Sequence, residues 1–160
     1  MEKIKLIKPA DVLVTEEEYT EILHDRANGI PHTEITDRRR KTGNIFIDLF
    51  VECIECGGGV RTASLASMMG VNPSLLSPAI EAMSGLSARE WAMQYVHLRA
   101  YDRLRRYPKD ISSLASRLGF RSVSAFSHFF YRREGCYPTD LSGEKYHYSS
   151  HAPRRRHRKR

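Results

Sequence analysis

An internal repeat limits the folds open to this chain of 160 residues more than any other feature of its sequence. Two stretches about 50 residues apart carry the same series of a Leu-Ala pair, a glycine, an apolar residue followed by serine, a further apolar residue and a second glycine. The first series comprises Leu65-Ala66, Gly70, Leu76-Ser77, Ile80 and Gly85, and the second comprises Leu114-Ala115, Gly119, Phe126-Ser127, Phe130 and Gly135. The repeat predicts one supersecondary unit that occurs twice.

Each copy of the repeat predicts two helices joined by a tight turn. The apolar residues four apart in the second helix are expected to anchor it to the first. Ala66 and Ala115 are small where two helices would have to approach closely. Gly70 and Gly119 stand where the chain turns at a positive φ, which only glycine adopts at little cost. Helix-turn-helix units place their second helix in the major groove of DNA, so the repeat favours a nucleic-acid partner.

Caps and helix breakers place the boundaries of the two units. Asn72-Pro73 predicts where the second helix of the first unit begins, and Ser122 predicts the same for the second unit. Apolar residues at helical spacing predict one long linker helix over residues 88–106. Pro108 and Asp110 are expected to break that helix and to cap the next one. The first unit then spans about 62–85 and the second about 110–134.

The N-terminal part predicts two further helices. Thr15 and Glu18 fit a capping box, and the helix that follows runs about three turns to Asn28-Gly29. Residues 30–43 are interpreted as a polar linker, with the basic cluster 38–41 as a solvated part of it rather than a phosphate contact. Residues 44–56 predict a buried helix that ends at the glycines 57–59.

The expected fold class is all-α, with two helix-turn-helix subdomains joined by a long linker helix. Residues 1–43 are expected to form a short helical extension, residues 44–143 the domain that holds both units, and residues 144–160 a disordered basic tail. The end of this tail, residues 151–160, is strongly cationic and is expected to add nonspecific affinity for nucleic acid. A solubilising end with no defined partner is the alternative.

The charge of the chain is distributed unevenly. Residues 1–60 hold 8 Lys+Arg and 12 Asp+Glu, a net charge of −4, whereas residues 61–160 hold 18 and 7, a net charge of +11. A C-terminal part this basic is typical of a protein with a polyanionic partner, although composition alone fits a merely basic surface equally well.

Several other function classes find no support in the sequence. The longest apolar run, residues 45–54, is too short to cross a bilayer and is broken by Asp48 and Glu52, so no membrane association is expected. The N-terminus has no secretion signal, and three cysteines do not suggest a disulfide framework, so a cytoplasmic, nucleoid-associated protein is expected. Cys53 and Cys56 lack a second pair for a metal site. No catalytic motif or phosphate-binding glycine loop is present, so neither an enzyme nor a cofactor is expected.

The second copy of the repeat resembles the AraC/XylS family of bacterial transcription regulators. The matching positions are Ile111, Leu114, Ala115, Gly119, Phe120, Ser124, Phe126, Ser127, Phe130, Gly135 and Pro138. The resemblance covers roughly residues 45–142, and the first copy matches more loosely. It implies two subdomains that together read two major-groove faces of double-stranded DNA about one helical turn apart.

The resemblance also implies which residues face DNA. The base-facing residues would be Arg121, Val123, Ser124, Ala125, Ser127 and His128 in the second unit, with Ser74 and Ser77 in the first. The phosphate contacts would be Arg105, Arg106, Lys109, Arg117, Arg132 and Arg133. A serine that bonds locally within its helix is an equally good interpretation of Ser124. Phe126 and Phe130 are interpreted as core.

The chain departs from the family pattern in its first unit. Where the family usually has arginine after the apolar-Ser pair, this chain has Pro78 in the first copy and His128 in the second. Pro78 is expected to kink or shorten its helix. Residues 62–88 contain no Lys or Arg, and Glu81 is their one charge. The second unit is therefore expected to dominate DNA binding, while the first binds weakly or contacts a protein.

Two function classes remain open from the sequence. The first is a DNA-binding regulator without the usual β-barrel sensor, for which residues 1–44 are too few, and with no small-molecule effector evident. The second is an adaptor that retains the fold and binds RNA polymerase, RNA or another protein through the N-terminal helix or the first unit, with only nonspecific nucleic-acid affinity. The missing cations of the first unit favour the adaptor, and the basic second unit favours the regulator.

Overall fold

A computed structural model describes residues 5–36 and 38–142. Eight helices and one two-stranded hairpin occupy the described part of the chain. The helices are α1 (Pro9–Val12), α2 (Glu16–Ala27), α3 (Ile45–Cys53), α4 (Thr62–Met69), α5 (Pro73–Ser84), α6 (Ala88–Arg106), α7 (Ile111–Arg117) and α8 (Val123–Glu134). The strands are β1 (Ile35–Thr36) and β2 (Arg39–Arg40), and a π-helical turn (Ile54–Gly58) and a 3₁₀ turn (Pro138–Ser142) complete the order. The all-α fold class predicted from the sequence is confirmed.

The linker helix α6 forms the centre of the core and has the bounds predicted for it. It packs against α1, α2, α5, α8 and the 3₁₀ turn, and most of its apolar residues are buried. Trp91 stacks on Tyr95 with ring centroids 5.6 Å apart and meets the edge of Phe50 at the same distance. Because both helix-turn-helix units pack on this one helix, α6 fixes their relative position.

The two units have the same turn geometry, as the repeat predicts. Gly70 and Gly119 adopt φ values of 69° and 82°. After the first turn the amide of Val71 donates to Ala66 at 3.0 Å, and after the second the amide of Phe120 donates to Ala115 at 3.0 Å. The predicted caps are also confirmed, since Asn72 accepts from the amide of Ser74 and Ser122 from that of Ala125.

The turn of the second unit packs directly against the glycine loop that follows α3. A Cβ atom at Gly119 would lie 2.6 Å from the carbonyl oxygen of Gly57 and 3.0 Å from the amide nitrogen of Gly59. Two backbone segments meet there with no side chain between them, so this position requires glycine for space as well as for its positive φ.

The segment 30–43, interpreted as a polar linker, instead contains the hairpin. Ile35 pairs with Arg40 and Thr36 with Arg39, and the amide of Val14 donates to the carbonyl of Arg38 at 3.1 Å. A small apolar cluster packs beside the hairpin and includes its residue Ile35. The other members are Val14, Ile22 and the partly buried Tyr19. The linker interpretation failed because a two-residue strand leaves no period that a sequence pattern can show.

The arginines of the basic cluster are not freely solvated either. Arg38 lies 4.8 Å from the ring centre of Tyr19, and its Nε is 3.2 Å from Glu16 Oε1, close enough for an ion pair although not aligned for a hydrogen bond. Arg40 pairs with Glu18 at 3.2 Å. These contacts between β2 and α2 hold the hairpin against the helix that precedes it.

Arg99 joins the N-terminal segment to the linker helix. Only 6% of its side chain is exposed. The guanidinium donates to the Val14 carbonyl at 3.2 Å, to the Arg38 carbonyl at 2.7 Å and, through Nε, to the Glu55 carboxylate at 3.0 Å. Closer to the start of the chain, the ammonium group of Lys8 donates to the carbonyl of Ser84 at the C-terminus of α5. The N-terminal segment is therefore part of the core rather than a loose extension.

Two helix-boundary expectations need correction. Asp110 occupies the N-cap position of α7, but its carboxylate makes no cap bond and accepts from Arg103 at 3.0 Å instead. Pro78 does not shorten α5, which runs 12 residues, the same length as α8. The amide that proline lacks would have paired with the Ser74 carbonyl, and both residues are exposed, so water can satisfy that oxygen. The expected basic tail, 144–160, lies outside the described residues.

Among the described helices, none has the length and apolar character needed to cross a membrane.

Candidate nucleic-acid interface

Helix α8 presents two very different faces. Phe126 and Phe130 are fully buried, as predicted. The opposite face and the residues just before the helix are solvent-exposed; they are Arg121, Val123, Ser124, Ala125 and His128. Ser127 is half-buried at the border between the two faces. The structure thus brings the base-facing candidates of the second unit together on one open surface.

Aromatic packing beneath this surface fixes the orientation of α8. Phe120, in the turn before the helix, lies 5.3 Å from Phe126 and 5.2 Å from Phe129, measured between ring centroids. At the other end, Glu134 bonds His97 of α6 at 2.6 Å. A helix held at both ends presents its outer face without further ordering, which is what a recognition surface needs.

The N-terminus of α8 combines a helix dipole with a nearby cation. The Ser122 side chain caps the helix through the amide of Ala125 at 3.1 Å. Arg121 is exposed and immediately precedes the cap. The positive end of the helix dipole and this guanidinium both favour a phosphate or another anion at this end of the helix.

Five of the six candidate phosphate contacts are exposed. They are Arg105, Arg106, Lys109, Arg117 and Arg132. Within the described residues none of the five forms an ion pair, and Arg105 lies over the ring of Tyr101 at 5.7 Å. Their charges are available to an external anion.

Arg133, the sixth candidate, is occupied inside the protein. Its two terminal nitrogens donate to the two carboxylate oxygens of Glu90 at 3.1 and 3.0 Å. The hydrogen bond from Arg133 holds the pKa of Glu90 below its ordinary value. The pair ties the end of α8 to the start of α6, so this guanidinium is engaged inside the protein.

Helix α5 presents a different surface at the corresponding positions. Ser74 is exposed, but its hydroxyl donates to the Asn72 side chain at 2.8 Å. Ser77 is half-buried and accepts from the amide of Ala88, the first residue of α6, at 3.2 Å, so it holds two helices together rather than facing outward. The largest exposed side chain of this face is Leu75, which is 66% exposed. The exposed face of α5 thus carries a large apolar side chain and no cation, with Glu81 as its one charged residue, whereas that of α8 is polar and flanked by cations.

Sequence reasoning missed two exposed groups of this region. Leu75 lies one repeat before Ala125, so alignment of the two copies at an offset of 50 was a sufficient signal for it. Tyr131 and Tyr137 stack with ring centroids 4.6 Å apart while both remain about 45% exposed. The turn at Gly135 brings them together, and no spacing rule predicts that contact.

The two neighbouring cysteines have different surroundings, with Cys53 at the end of α3 and Cys56 in the π-helical turn that follows. Cys53 is buried while Cys56 is exposed, so the two thiols point into different environments. Burial raises the pKa of the Cys53 thiol, with smaller contributions from Cys56 and Glu52, which keeps it protonated. Among the described residues, no three His, Cys, Asp or Glu side chains are grouped so as to hold a metal ion.

Comparison with protein families supports the helix-turn-helix assignment of the two units. A family model described as a helix-turn-helix domain matches residues 65–143, which cover both units except for the first three residues of α4. No curated protein shows significant sequence similarity to the chain. Among solved structures, the chain is similar to the crystal structure of the DNA-binding domain of AdpA, the global transcriptional factor, in complex with a target DNA. The identity is 20%, the alignment covers 59% of this chain and 86% of that chain, and the TM-score is 0.49.

Proposed function

We propose that the chain is a sequence-specific DNA-binding transcription regulator of the AraC/XylS type, a proposal supported by the match of residues 65–143 to a helix-turn-helix domain model. In this proposal residues 44–143 are the DNA-binding domain and the second unit dominates the contact. The observation that carries the proposal is the outer face of α8, which is polar, rigidly held and surrounded by exposed cations without ion pairs.

The difference in charge between the units supports the dominance of the second. Each Lys or Arg that neutralises a phosphate releases counterions, and this release supplies much of the affinity of a DNA-binding protein. Five such cations surround α7 and α8, whereas residues 62–88 contain none. Five phosphate contacts would give a slope of log K against log salt of about −4 to −5.

The side chains of α8 suggest how base sequence is read. Arg121 and His128 are the exposed residues able to reach the acceptors of a guanine edge. Val123 and Ala125 are apolar and suited to thymine methyl groups, and Ser124 and Ser127 are short hydroxyl donors. This is a small set of direct contacts, so part of the specificity is expected to come from DNA shape.

We also propose that residues 1–44 do not serve as a β-barrel sensor domain. The described residues before α3 form two helices and a two-stranded hairpin, which pack on α6 instead of enclosing a ligand chamber. The N-terminal segment thus belongs to the frame of the DNA-binding domain.

Selection of preferred duplexes from random DNA, followed by binding titrations at several salt concentrations, tests the proposal. We expect one preferred motif, and we expect Arg121→Ala or His128→Ala to weaken its binding by about 1–3 kcal/mol while relaxing the preference at one position. Lys109→Ala should weaken all sequences alike and reduce the salt slope by about one unit. The matched variants Ser74→Ala and Leu75→Ala on α5 should have smaller effects. Equal losses from both helices would show that the second unit does not dominate.

The apolar face of α5 favours a second candidate function, that of a protein-binding adaptor. Leu75 and Met68 of the first unit are 66% and 47% exposed, and no cation accompanies them. RNA polymerase or another protein would then contact this face, and nucleic acid would bind only through charge. The same selection separates the two functions, because salt-sensitive binding without any preferred motif would support the adaptor.

A further inference from the structure

A cleft lies between the N-terminal hairpin and α3, on a surface that the proposed DNA contact does not use. Its volume is about 350 Å³. Val12 and Val51 form its buried floor, and Ile45 and Leu49, one turn apart on α3, form its apolar rim. Ile45 is 85% exposed and Leu49 39% exposed, so a pair of aliphatic side chains stands in water at the start of this helix.

Opposite charges flank this apolar rim. Arg39 and Lys41 lie before the N-terminus of α3, and Glu52 lies near its C-terminus, all three lining the cleft. Within residues 5–36 and 38–142 none of these three side chains forms an ion pair. The other two charged residues of the cleft are engaged, since Arg40 pairs with Glu18 and Asp48 accepts from Thr42.

We propose that this surface is a homodimer interface, in which α3 packs antiparallel against α3 of a second copy of the chain. A two-fold axis that crosses α3 midway between Ile45 and Leu49 places the same patch on both sides, as an isologous interface requires. Ile45 and Leu49 of one copy then cover the apolar rim of the other and leave the solvent.

The order of charges along the chain is self-complementary in this arrangement. Each copy is basic before the start of α3 and acidic near its end. Antiparallel packing brings Lys41 and Arg39 of one copy next to Glu52 of the other at both ends of the interface. The two helix dipoles are also antiparallel, which is the favourable orientation. A parallel arrangement would set like charges against each other.

The size of the patch predicts a reversible dimer. One nine-residue helix and the edge of a short hairpin form a smaller surface than most stable interfaces have, so we expect a dissociation constant in the micromolar range, of roughly 1–100 μM. A dimer of this symmetry would present two helix-turn-helix pairs related by a two-fold axis and would therefore favour inverted repeats of its DNA site.

Charge reversal tests the interface without any DNA, using sedimentation velocity over a range of concentrations. We expect Lys41→Glu and Glu52→Lys, each alone, to weaken dimerisation by at least about tenfold, since each places like charges at both ends of the interface. An equimolar mixture of the two variants should recover the dimer, because every contact across the mixed interface is again between opposite charges. The double variant Lys41→Glu/Glu52→Lys should recover it for the same reason.

Two further variants separate this interface from general surface effects. Ile45→Ser should abolish the dimer without loss of thermal stability, because the side chain is exposed in the monomer, whereas Leu23→Ser, at an apolar residue of α2 that is 47% exposed, should leave it unchanged. Glu17→Lys is the matched control for charge.

A chain that remains monomeric to several hundred micromolar would overturn the proposal. A dimer that both charge reversals leave intact, or a mixture of the two variants that stays monomeric, would also overturn it. None of these three results would depend on whether the protein binds DNA, so failure of this inference is distinct from failure of the proposed function.

Discussion

Replacing Arg99 by methionine is expected to destabilise the protein by about 3 kcal/mol. Methionine keeps the unbranched shape and the helix propensity of arginine but removes the guanidinium. That group neutralises Glu55 and donates to the carbonyls of Val14 and Arg38, three partners that lie 44, 85 and 61 residues away in the chain.

The magnitude follows from the burial of the two partners. Removal of one member of a buried ion pair costs about 3–5 kcal/mol, because the other charge remains without compensation. The Arg99 side chain is 6% exposed, but that of Glu55 is 25% exposed, so water can reach the stranded carboxylate and the lower end of the range applies. For a chain of this length, 3 kcal/mol corresponds to a decrease in Tm of about 6–12 °C.

Urea unfolding followed by circular dichroism measures this loss. The control is Arg89→Met, an exposed arginine of the same helix, which should change the free energy of unfolding by less than about 0.5 kcal/mol. In a double-mutant cycle, Arg99→Met combined with Glu55→Gln should cost about 1–2 kcal/mol less than the sum of the single variants, since no charge is then stranded. Additive costs, or an Arg99→Met variant as stable as the wild type, would refute this account of the buried pair.

Two other predictions follow from contacts around the second unit. Gly119→Ala should lower Tm clearly more than Gly70→Ala. Both substitutions incur about 1 kcal/mol of strain at positive φ, but only the Cβ at Gly119 would meet a backbone atom, 2.6 Å away. Equal decreases in Tm would contradict the close contact with Gly57. The hydrogen bond from Arg133 lowers the pKa of Glu90. The stabilisation that this ion pair gives the folded protein is therefore fully present above the ordinary pKa of a carboxyl group, and it is lost as the pH falls through the lowered pKa. Glu90→Gln should thus cost up to about 1 kcal/mol at pH 7 and progressively less in acid, because this carboxylate is partly exposed; a cost that does not change with pH would show that the ion pair contributes nothing.

The sequence predicts those parts of the fold that depend on local rules. The glycine turns, the caps at Asn72 and Ser122 and the bounds of α6 each follow from residues within one or two helical turns. The repeat gives each of these signals twice, at offsets of 49 or 50 residues, so each copy supports the prediction made for the other.

Long-range pairing is what the sequence could not show. The exposed face of α8 was predicted because helical periodicity separates Phe126 and Phe130 from the residues between them. The family resemblance implies a DNA contact for Arg133 and Ser77, but their partners, Glu90 and Ala88, lie elsewhere in the chain. No spacing rule distinguishes a surface arginine with an internal partner from one without.

The docking of the N-terminal segment on α6 has a consequence for the order of folding. Ile7 accepts from the Trp91 ring nitrogen and Glu16 from Arg103, partners that lie 84 and 87 residues further along the chain. Loop-closure entropy opposes contacts of such separation, and they form late. During synthesis the N-terminal segment is made before α6, so Ile7 and Glu16 cannot form these contacts until α6 has left the ribosome. We therefore expect the N-terminal segment to dock only after α6 has been made, and to be exposed to proteolysis or aggregation until then.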